Sequence, residues 1–394
     1  MCDTSTRIAN DPALPAASRR RFLQALGAGA AAGTAVTAGA AAPAAAAPAT
    51  SSGRCPARTK IVLLGTGGGP QWNSPDRTGI CTAVVHDGRY YLVDLGWGAS
   101  HRIVQSGIGG SDAARGPLSN LAGVFLTHMH SDHVAEWPAL YLMGYTNATG
   151  RTLPPVEVFG PGDRAVPPRV FPPERPEPEL VGPDAPGAGT AAMTDLLRRA
   201  FASDLNDRTR DQGQPDLSTL FSVNDIDLTG TGEIGADGVP PRLTRPIPVW
   251  EDGQVRVTAT LVDHRPTAPA FAFRFDTPDG SIVVSGDTTV SENLVDLAKD
   301  ADYLVHECID PEAVERIVAP LPAEIATPLR EHLFASHTTI EQVGRDVAER
   351  AGARNLVLTH LSAGTSDATW RRARRGYSGR LVVGADLMEI PVGG

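Results

Sequence analysis

The sequence predicts an α/β sandwich folded as a single domain, and three observations carry that prediction. Short apolar runs that end in a polar or titratable residue and pass into a helix pattern recur along the chain, as in an α/β fold with its chemistry at strand ends. The richest such junction is LAGVFLTHMHSDHV at Leu121–Val134, where Val124, Phe125 and Leu126 run directly into His128, His130, Asp132 and His133. With 394 residues, 41 % of them hydrophobic, the chain can build one sizeable core. No internal repeat is visible, and no stretch beyond the amino terminus is apolar enough to span a membrane.

The amino terminus stands apart. Ser18-Arg19-Arg20-Arg21-Phe22-Leu23 is a twin-arginine pattern, followed by an uncharged Ala/Gly-rich run and small-residue cleavage sites near Ala40–Ala49. Residues 1–47 are therefore expected to be a signal handled by the twin-arginine export machinery. That places the mature chain in the periplasm or outside the cell, with no membrane attachment; a retained low-complexity arm is the alternative. Cleavage would remove four Arg and two Asp, taking the formal charge from −10 to −12. An acidic chain lacks the positive field that steers polyanions, so nucleic acid is not an expected partner. Three cysteines would remain, Cys55, Cys81 and Cys308, allowing at most one internal disulfide.

Residues 48–58 read as a linker. Lys60–Leu64 is an apolar strand ending in Gly65-Thr66-Gly67-Gly68-Gly69-Pro70, which lacks the Lys-Ser/Thr of a phosphate loop. Those glycines instead let the backbone pass close to the site, and Trp72 beyond them is a lid or core residue. Cys81–His86 and Arg89–Asp94 form a hairpin turning at Asp87-Gly88, and Asp94 is placed to orient a metal-bound histidine or to serve in a turn. A helix follows over Ala99–Ser106, another over Trp137–Tyr145, and a strand over Val156–Phe159. Pro167–Pro186 is too rich in proline for regular structure. Met193, Leu196, Leu197, Ala200, Phe201 and Leu205 recur at helical spacing, which predicts one amphipathic helix over Thr190–Asp211. Residues 165–250 are read as a Pro-rich and helical insertion in a domain spanning 59–394.

Strands resume at Val255–Val262, at Ala270–Phe275 with Phe271, Phe273 and Phe275 on one face, and at Ile282–Val284. Glu292–Ala298 is a helix, Tyr303–Val305 a strand, Thr338–Ala351 a helix and Asn355–Leu358 a strand. Behind these strands stand His264, Asp287, Glu307, His337 and His360. His86 and His101 have no ligand spacing and read as structural or exposed; His306 and His332 read as supporting or solvent-facing.

The H-x-H-x-D-H spacing of His128–His133 resembles the signature of the metallo-β-lactamase-fold hydrolases, whose fold is an αββα sandwich and whose members usually carry two zinc ions. His264 in LVDHRP, Asp287 in SGDT and His360 in LTHLS match that family's later metal motifs. The resemblance implies one zinc on His128, His130 and His264, the other on Asp132, His133 and His360, with Asp287 shared and a bridging hydroxide between the ions. His rather than Glu at position 130 favours zinc over iron. His337 in ASHTT and Glu307 in LVHEC resemble the proton-donating pair of the phosphodiesterase-like branch, so Asp132, His337 and Glu307 are the expected catalytic residues.

Within that branch, Val262–Glu307 resembles an arylsulfatase-like group most. The resulting expectation is an exported dizinc hydrolase of small sulfate or phosphate esters. A lactonase or other carbonyl hydrolase is the first alternative. A tRNA 3′-processing nuclease is disfavoured, because the insertion is rich in Pro and acidic residues and has no Gly/Lys/Arg run. A non-catalytic zinc-binding protein is the last reading. No oligomeric state follows from the sequence; a homodimer enters only by analogy with similar proteins, among which dimers are common.

Overall fold

Ile61, Val62, Leu63 and Leu64 are all fully buried, so the first strand must be covered on both faces. Because side chains alternate along a strand, Ile61 and Leu63 enter one apolar cluster while Val62 and Leu64 enter another. The same division recurs in the later strands, where Phe271, Phe273 and Phe275 face one cluster and Ala270 and Ala272 a different one. Three apolar layers separating two sheets and two helical coats make an αββα sandwich. The structure, a computed structural model, describes residues 57–393 other than positions 71, 73, 111, 113 and 363. The expected signal over 1–47 and Cys55 lie outside the described residues, while Cys81 and Cys308 are buried free thiols.

The strands are β1 (Thr59–Gly65), β2 (Cys81–His86), β3 (Arg89–Val93), β4 (Leu121–Phe125), β5 (Val156–Gly160), β6 (Phe221–Asp225) and β7 (Ile247–Glu251). They continue as β8 (Arg256–Leu261), β9 (Phe271–Thr277), β10 (Gly280–Val284), β11 (Tyr303–Cys308), β12 (Asn355–Leu361), β13 (Arg380–Val383) and β14 (Met388–Val392). One sheet has the order β14-β1-β2-β3-β4-β5-β6 and the other β13-β12-β11-β10-β9-β8-β7. Each sheet consists of a four-strand antiparallel half and parallel strands beyond it, β4 to β6 in the first and β11 to β13 in the second. The two sheets thus repeat one topology with no repeated sequence, except that the first takes its edge strand β14 from the end of the chain.

Several expectations need correcting. The helix expected over Thr190–Asp211 is two helices, Thr190–Ala200 and Ala202–Arg210, because the backbone of Phe201 leaves the helical region (φ −104°, ψ 21°). Met193, Leu197 and Leu205 pack on the outer core, whereas Leu196 and Phe201 stay about half exposed. Residues 165–250 also hold β6 and β7, each the edge strand of a sheet, so part of that stretch belongs to the sandwich. The helix expected from Thr338 begins at Ile340 behind a capping box of Thr339 and Gln342, and its middle, Val343–Ala348, widens into a π-helical turn. Helices Pro311–Val318 and Ala323–Ser336 stand between β11 and that helix.

Strands β11 and β12 run further than their apolar cores suggest and thereby carry Glu307 and His360. In the β11–β12 ladder Glu307 pairs with Thr359 and Cys308 with Leu361, which leaves His360 as an extra bulged residue at φ 52°. A bulge re-aims one side chain out of the alternation, and here it turns His360 toward the early histidines. A left-handed conformation costs a residue with a Cβ about 1–3 kcal/mol, and it persists where the surroundings hold it.

Candidate metal centre

Past β4 the amide of Leu126 still donates to Phe159 O (2.8 Å), and the chain then meets Asp94. The amide and the hydroxyl of Thr127 both donate to that carboxylate at 2.8 Å, fixing where the backbone leaves the sheet. His128 follows, fully buried, and His130 opens the one-turn helix Ser131–Val134 that carries Asp132 and His133. His264 arrives from the loop after β8, Asp287 from the end of β10 and His360 from the bulge of β12.

All seven side chains named from the sequence converge. His128, His130 and His264 offer nitrogens within 4.8 Å of one another, as do the ligand atoms of Asp132, His133, Asp287 and His360. Asp287 lies between the two groups, its Oδ2 at 3.2 Å from His133 Nε2, 3.4 Å from His360 Nε2, 3.9 Å from His264 Nε2 and 4.0 Å from His128 Nε2.

The chain fixes the orientation of each ring. His264 Nδ1 is 2.9 Å from the Ser336 carbonyl, which can only accept, so Nδ1 carries the proton and Nε2 faces inward as a lone pair. Asp94 Oδ2, 2.8 Å from His133 Nδ1, accepts that ring's proton, and His133 Nε2 faces Asp287 Oδ2 at 3.2 Å. Burial opposes charge on this ring, but Asp287 and Asp94 outweigh it and hold its pKa well above the ordinary imidazole range, so a cation at Nε2 would take the place of a proton. Thr267 Oγ1 holds His130 Nε2 at 2.7 Å and Thr127 Oγ1 holds His128 Nδ1 at 3.0 Å.

These residues fit a metal. His128 Nε2 and Asp287 Oδ1 are buried with no hydrogen-bond partner. An orphaned buried polar atom costs about 1–3 kcal/mol, a cost a coordinated cation removes. Burial pushes His128 and His264 well below the ordinary imidazole range and His130 down to about 4, keeping these rings neutral as ligands must be. Burial acts against the Asp287 carboxylate, but His133 and His360 outweigh it and hold its pKa well below the usual range.

Beside this cluster, His337 Nδ1 lies 3.1 Å from Glu307 Oε1 and 3.9 Å from Asp287 Oδ2. Glu307 Oε1 also accepts from the amides of Thr338 (3.0 Å) and Thr288 (3.3 Å), so the carboxylate is clamped. Burial would lower His337, but Glu307, with Asp287 behind it, reverses this and lifts it to about 9. A cavity of about 570 Å³ is lined by Phe171, Arg175, Leu180, Arg265, Leu329 and His332, of which Arg265 directly follows His264 in the chain.

Two supports carry no sequence signal. Ser336 acts through its carbonyl, which any residue could provide. Asp386 accepts from the amides and hydroxyls of Thr66 and Thr78 and from Arg102, at 2.7–2.9 Å, closing the glycine loop against the site. Of the histidines set aside, His86 is buried against Thr59 (2.7 Å) and His306 donates from Nδ1 to the Glu307 carbonyl (2.6 Å), and neither belongs to the ligand sets.

The model of the metallo-beta-lactamase superfamily matches residues 75–332. The chain belongs to this superfamily. Like its fold, its chemistry is that of the superfamily: it is a zinc-dependent hydrolase, and its two His/Asp clusters could hold metal ions. Ribonuclease Z of Mycobacterium avium (strain 104) is 30 % identical over 338 residues, covering 84 % of this chain and 98 % of the relative. Ribonuclease Z of Mycobacterium marinum (strain ATCC BAA-535 / M) is 28 % identical with the same coverage. Among solved structures, the short form of human tRNase Z superposes with a TM-score of 0.51 at 19 % identity, over 84 % of this chain and 99 % of that one. The fold protein YhfI from Bacillus subtilis superposes with a TM-score of 0.50 at 17 % identity, over 84 % and 98 %. Both share the superfamily sandwich.

The ribonuclease Z similarity overturns three linked expectations: the exported arylsulfatase-like hydrolase, the small-molecule ester substrate and the absence of a nucleic-acid partner. The physical reason is twofold. Net charge averages over the whole chain, whereas a polyanion responds to the local field where it docks. The Val262–Glu307 features serve any in-line attack on a tetrahedral ester, and they do not discriminate sulfate from phosphodiester.

Proposed function

We propose that this chain is an endoribonuclease of the ribonuclease Z type, hydrolysing a phosphodiester bond near the 3′ end of a precursor tRNA. The observation that carries the reading is the ribonuclease Z similarity, which runs over 98 % of those relatives' length. The site's own chemistry suits it. His128, His130 and His264 would hold one zinc ion and Asp132, His133 and His360 a second, with Asp287 shared. Such a pair acidifies water and neutralises phosphoryl oxygens.

The chain's residues supply the rest. Asp94, Thr127, Thr267 and the Ser336 carbonyl lock four imidazoles so that their free nitrogens converge. His337, held through Nδ1 by Glu307, presents Nε2–H to the departing ribose oxygen and stays protonated at neutral pH. Breaking the P–O bond leaves an alkoxide of high pKa, so a proton delivered there lowers the barrier. The test is incubation of zinc-loaded protein with a precursor tRNA bearing a 3′ trailer. A single chelator-sensitive cut near the 3′ end is expected. Protein that hydrolyses bis(p-nitrophenyl) phosphate yet leaves every precursor tRNA intact would sink the reading.

A further inference from the structure

We infer that Arg371, Arg374 and Arg375, continued by Arg380, form a docking stripe for the phosphate backbone of the RNA at a distance from the scissile bond. The inference rests on the ribonuclease reading and adds where the body of the substrate lies. Residues 370–376 read WRRARRG, four arginines in five positions, on the short 3₁₀ helix Arg371–Arg374 and the residue after it. Three apolar side chains anchor this segment from within: Trp370, Ala373 and Tyr377 are all buried in the outer core. Gly344 approaches so closely that a Cβ there would sit 2.0 Å from the Ala373 carbonyl, and Tyr377 donates its hydroxyl to Ala353 O at 2.8 Å. Arg371, Arg374 and Arg375 are therefore exposed on a pinned backbone, with Arg374 also donating to the Gly379 carbonyl. Little ordering remains to be paid for when they bind.

Their charge is uncompensated. Arg372 is bound to Glu341 and Glu312, but among the described residues Arg371, Arg374, Arg375 and Arg380 have no carboxylate within 4.0 Å. Arg371, Arg374, Arg375 and Arg380 are exposed. Of the eight arginines in residues 340–380, Arg345, Arg350, Arg354 and Arg372 are ion-paired, with Asp346, Glu292, Asp302 and Glu341/Glu312, which leaves these four as the unpaired ones in a chain whose formal charge is −10. A local positive surface is thus set into an acidic molecule. This is the field the whole-chain charge conceals.

The stripe is also placed for a long ligand. The segment leaves β12 just past His360, is tied near the site by Thr365 Oγ1 donating to Asp310 Oδ2 (2.8 Å), and returns at Arg380, which pairs with Asn355 at the start of β12. It therefore follows the length of that strand, about 20 Å at about 3.3 Å per residue. A small diester in the metal centre cannot reach it, whereas a structured RNA cut at one end extends its backbone that far. Arginine forks suit phosphate oxygens and carry no sequence demand.

The experiment compares zinc-loaded wild-type protein with the triple variant Arg371→Ala/Arg374→Ala/Arg375→Ala and with the corresponding triple Lys variant. It reads precursor tRNA binding by fluorescence anisotropy, KM for its cleavage, and turnover of bis(p-nitrophenyl) phosphate, at salt from about 50 to about 200 mM. The expected result is an Ala variant that weakens tRNA binding and raises KM at least about tenfold, with the log–log salt slope reduced by about two to three. Small-diester turnover should stay at the wild-type value, and the Lys variant should recover most of the binding. Unchanged tRNA affinity and salt slope in the Ala variant, beside a wild type that cleaves the RNA, would overturn this inference alone. An equal fall in small-diester turnover would also overturn it, by showing that the segment acts through the site. A wild type that neither binds nor cleaves precursor tRNA would overturn the ribonuclease reading with it.

Discussion

Glu307 Oε1 lies 3.1 Å from His337 Nδ1, and the carboxylate and the imidazole are both buried beneath the metal centre. Burial disfavours imidazolium, but the Glu307 charge outweighs it, so the His337 pKa is raised to about 9. A general acid must be protonated to act, so cleavage of precursor tRNA is expected to fall as pH rises through this pKa. Replacing Glu307 by Gln removes the raising influence and leaves the burial. The alkaline limb of kcat/KM for RNA is expected to move to lower pH by at least about one unit. A diester with a p-nitrophenolate leaving group needs little protonation and should show a much smaller change. Superimposable RNA profiles for wild type and Glu307→Gln would remove His337 from the role of proton donor.

The two His/Asp clusters are expected to make stability depend on metal. Stripping it leaves His128 Nε2 and Asp287 Oδ1 buried without partners. Zinc at about a thousand times its dissociation constant stabilises a folded chain by about 4 kcal/mol. At about 2–4 °C per kcal/mol for a domain of this order, chelation should lower Tm by on the order of ten degrees. Restored zinc should restore it. Calorimetry with and without chelator is the measurement, and coincident transitions would show that the clusters hold no structural load.

What the sequence discloses depends on how local the cause is. The β2–β3 hairpin is legible because Asp87-Gly88 supplies two positive φ values side by side (46° and 74°) between alternating strands. The inward faces of Phe271, Phe273 and Phe275 follow from a period of two. The seven converging side chains are legible because each sits just past, or at the end of, an apolar run. Edge strands are harder: β7 contains Pro248 and β14 contains Pro391, residues that argue against a strand until an exposed edge admits them. Asp386 is illegible altogether, since its partners Thr66 and Thr78 are more than 300 positions away. The unpaired arginines of residues 371–380 are hidden for a different reason, because a formal total of −10 says nothing about where on the surface the charges lie.

Asp94 is expected to tune metal affinity without touching the metal. Its Oδ2 lies 2.8 Å from His133 Nδ1 and its carboxylate also holds Thr127. Removing such a support typically weakens metal binding about 10–100-fold. Asp94→Ala should therefore require correspondingly more free zinc for half-occupancy in a competition with a chromophoric chelator. Affinity within a factor of about two of the wild type would show that His133 is oriented by something else.

Gly68 and Gly69 stand side by side in the glycine loop, yet substitution should fail at each for a different reason. A Cβ on Gly68 would lie 2.5 Å from the His360 carbonyl oxygen and 2.7 Å from His360 Nδ1, so Gly68→Ala must displace the bulge that aims His360. Zinc bound at the Asp132, His133 and His360 group should be lost, lowering the metal content per chain relative to the wild type and hydrolysis with it. A Cβ on Gly69 meets nothing within 4 Å, but its φ of 79° is left-handed. Gly69→Ala should therefore cost about 1–2 kcal/mol of stability while keeping the full metal count. Metal analysis and denaturant titration of the two variants separate the outcomes. If Gly68→Ala retained the wild-type metal content at wild-type affinity, the close approach of this loop would not be what positions His360, and the strained φ of 52° at that residue would have to be held by the β11–β12 ladder alone.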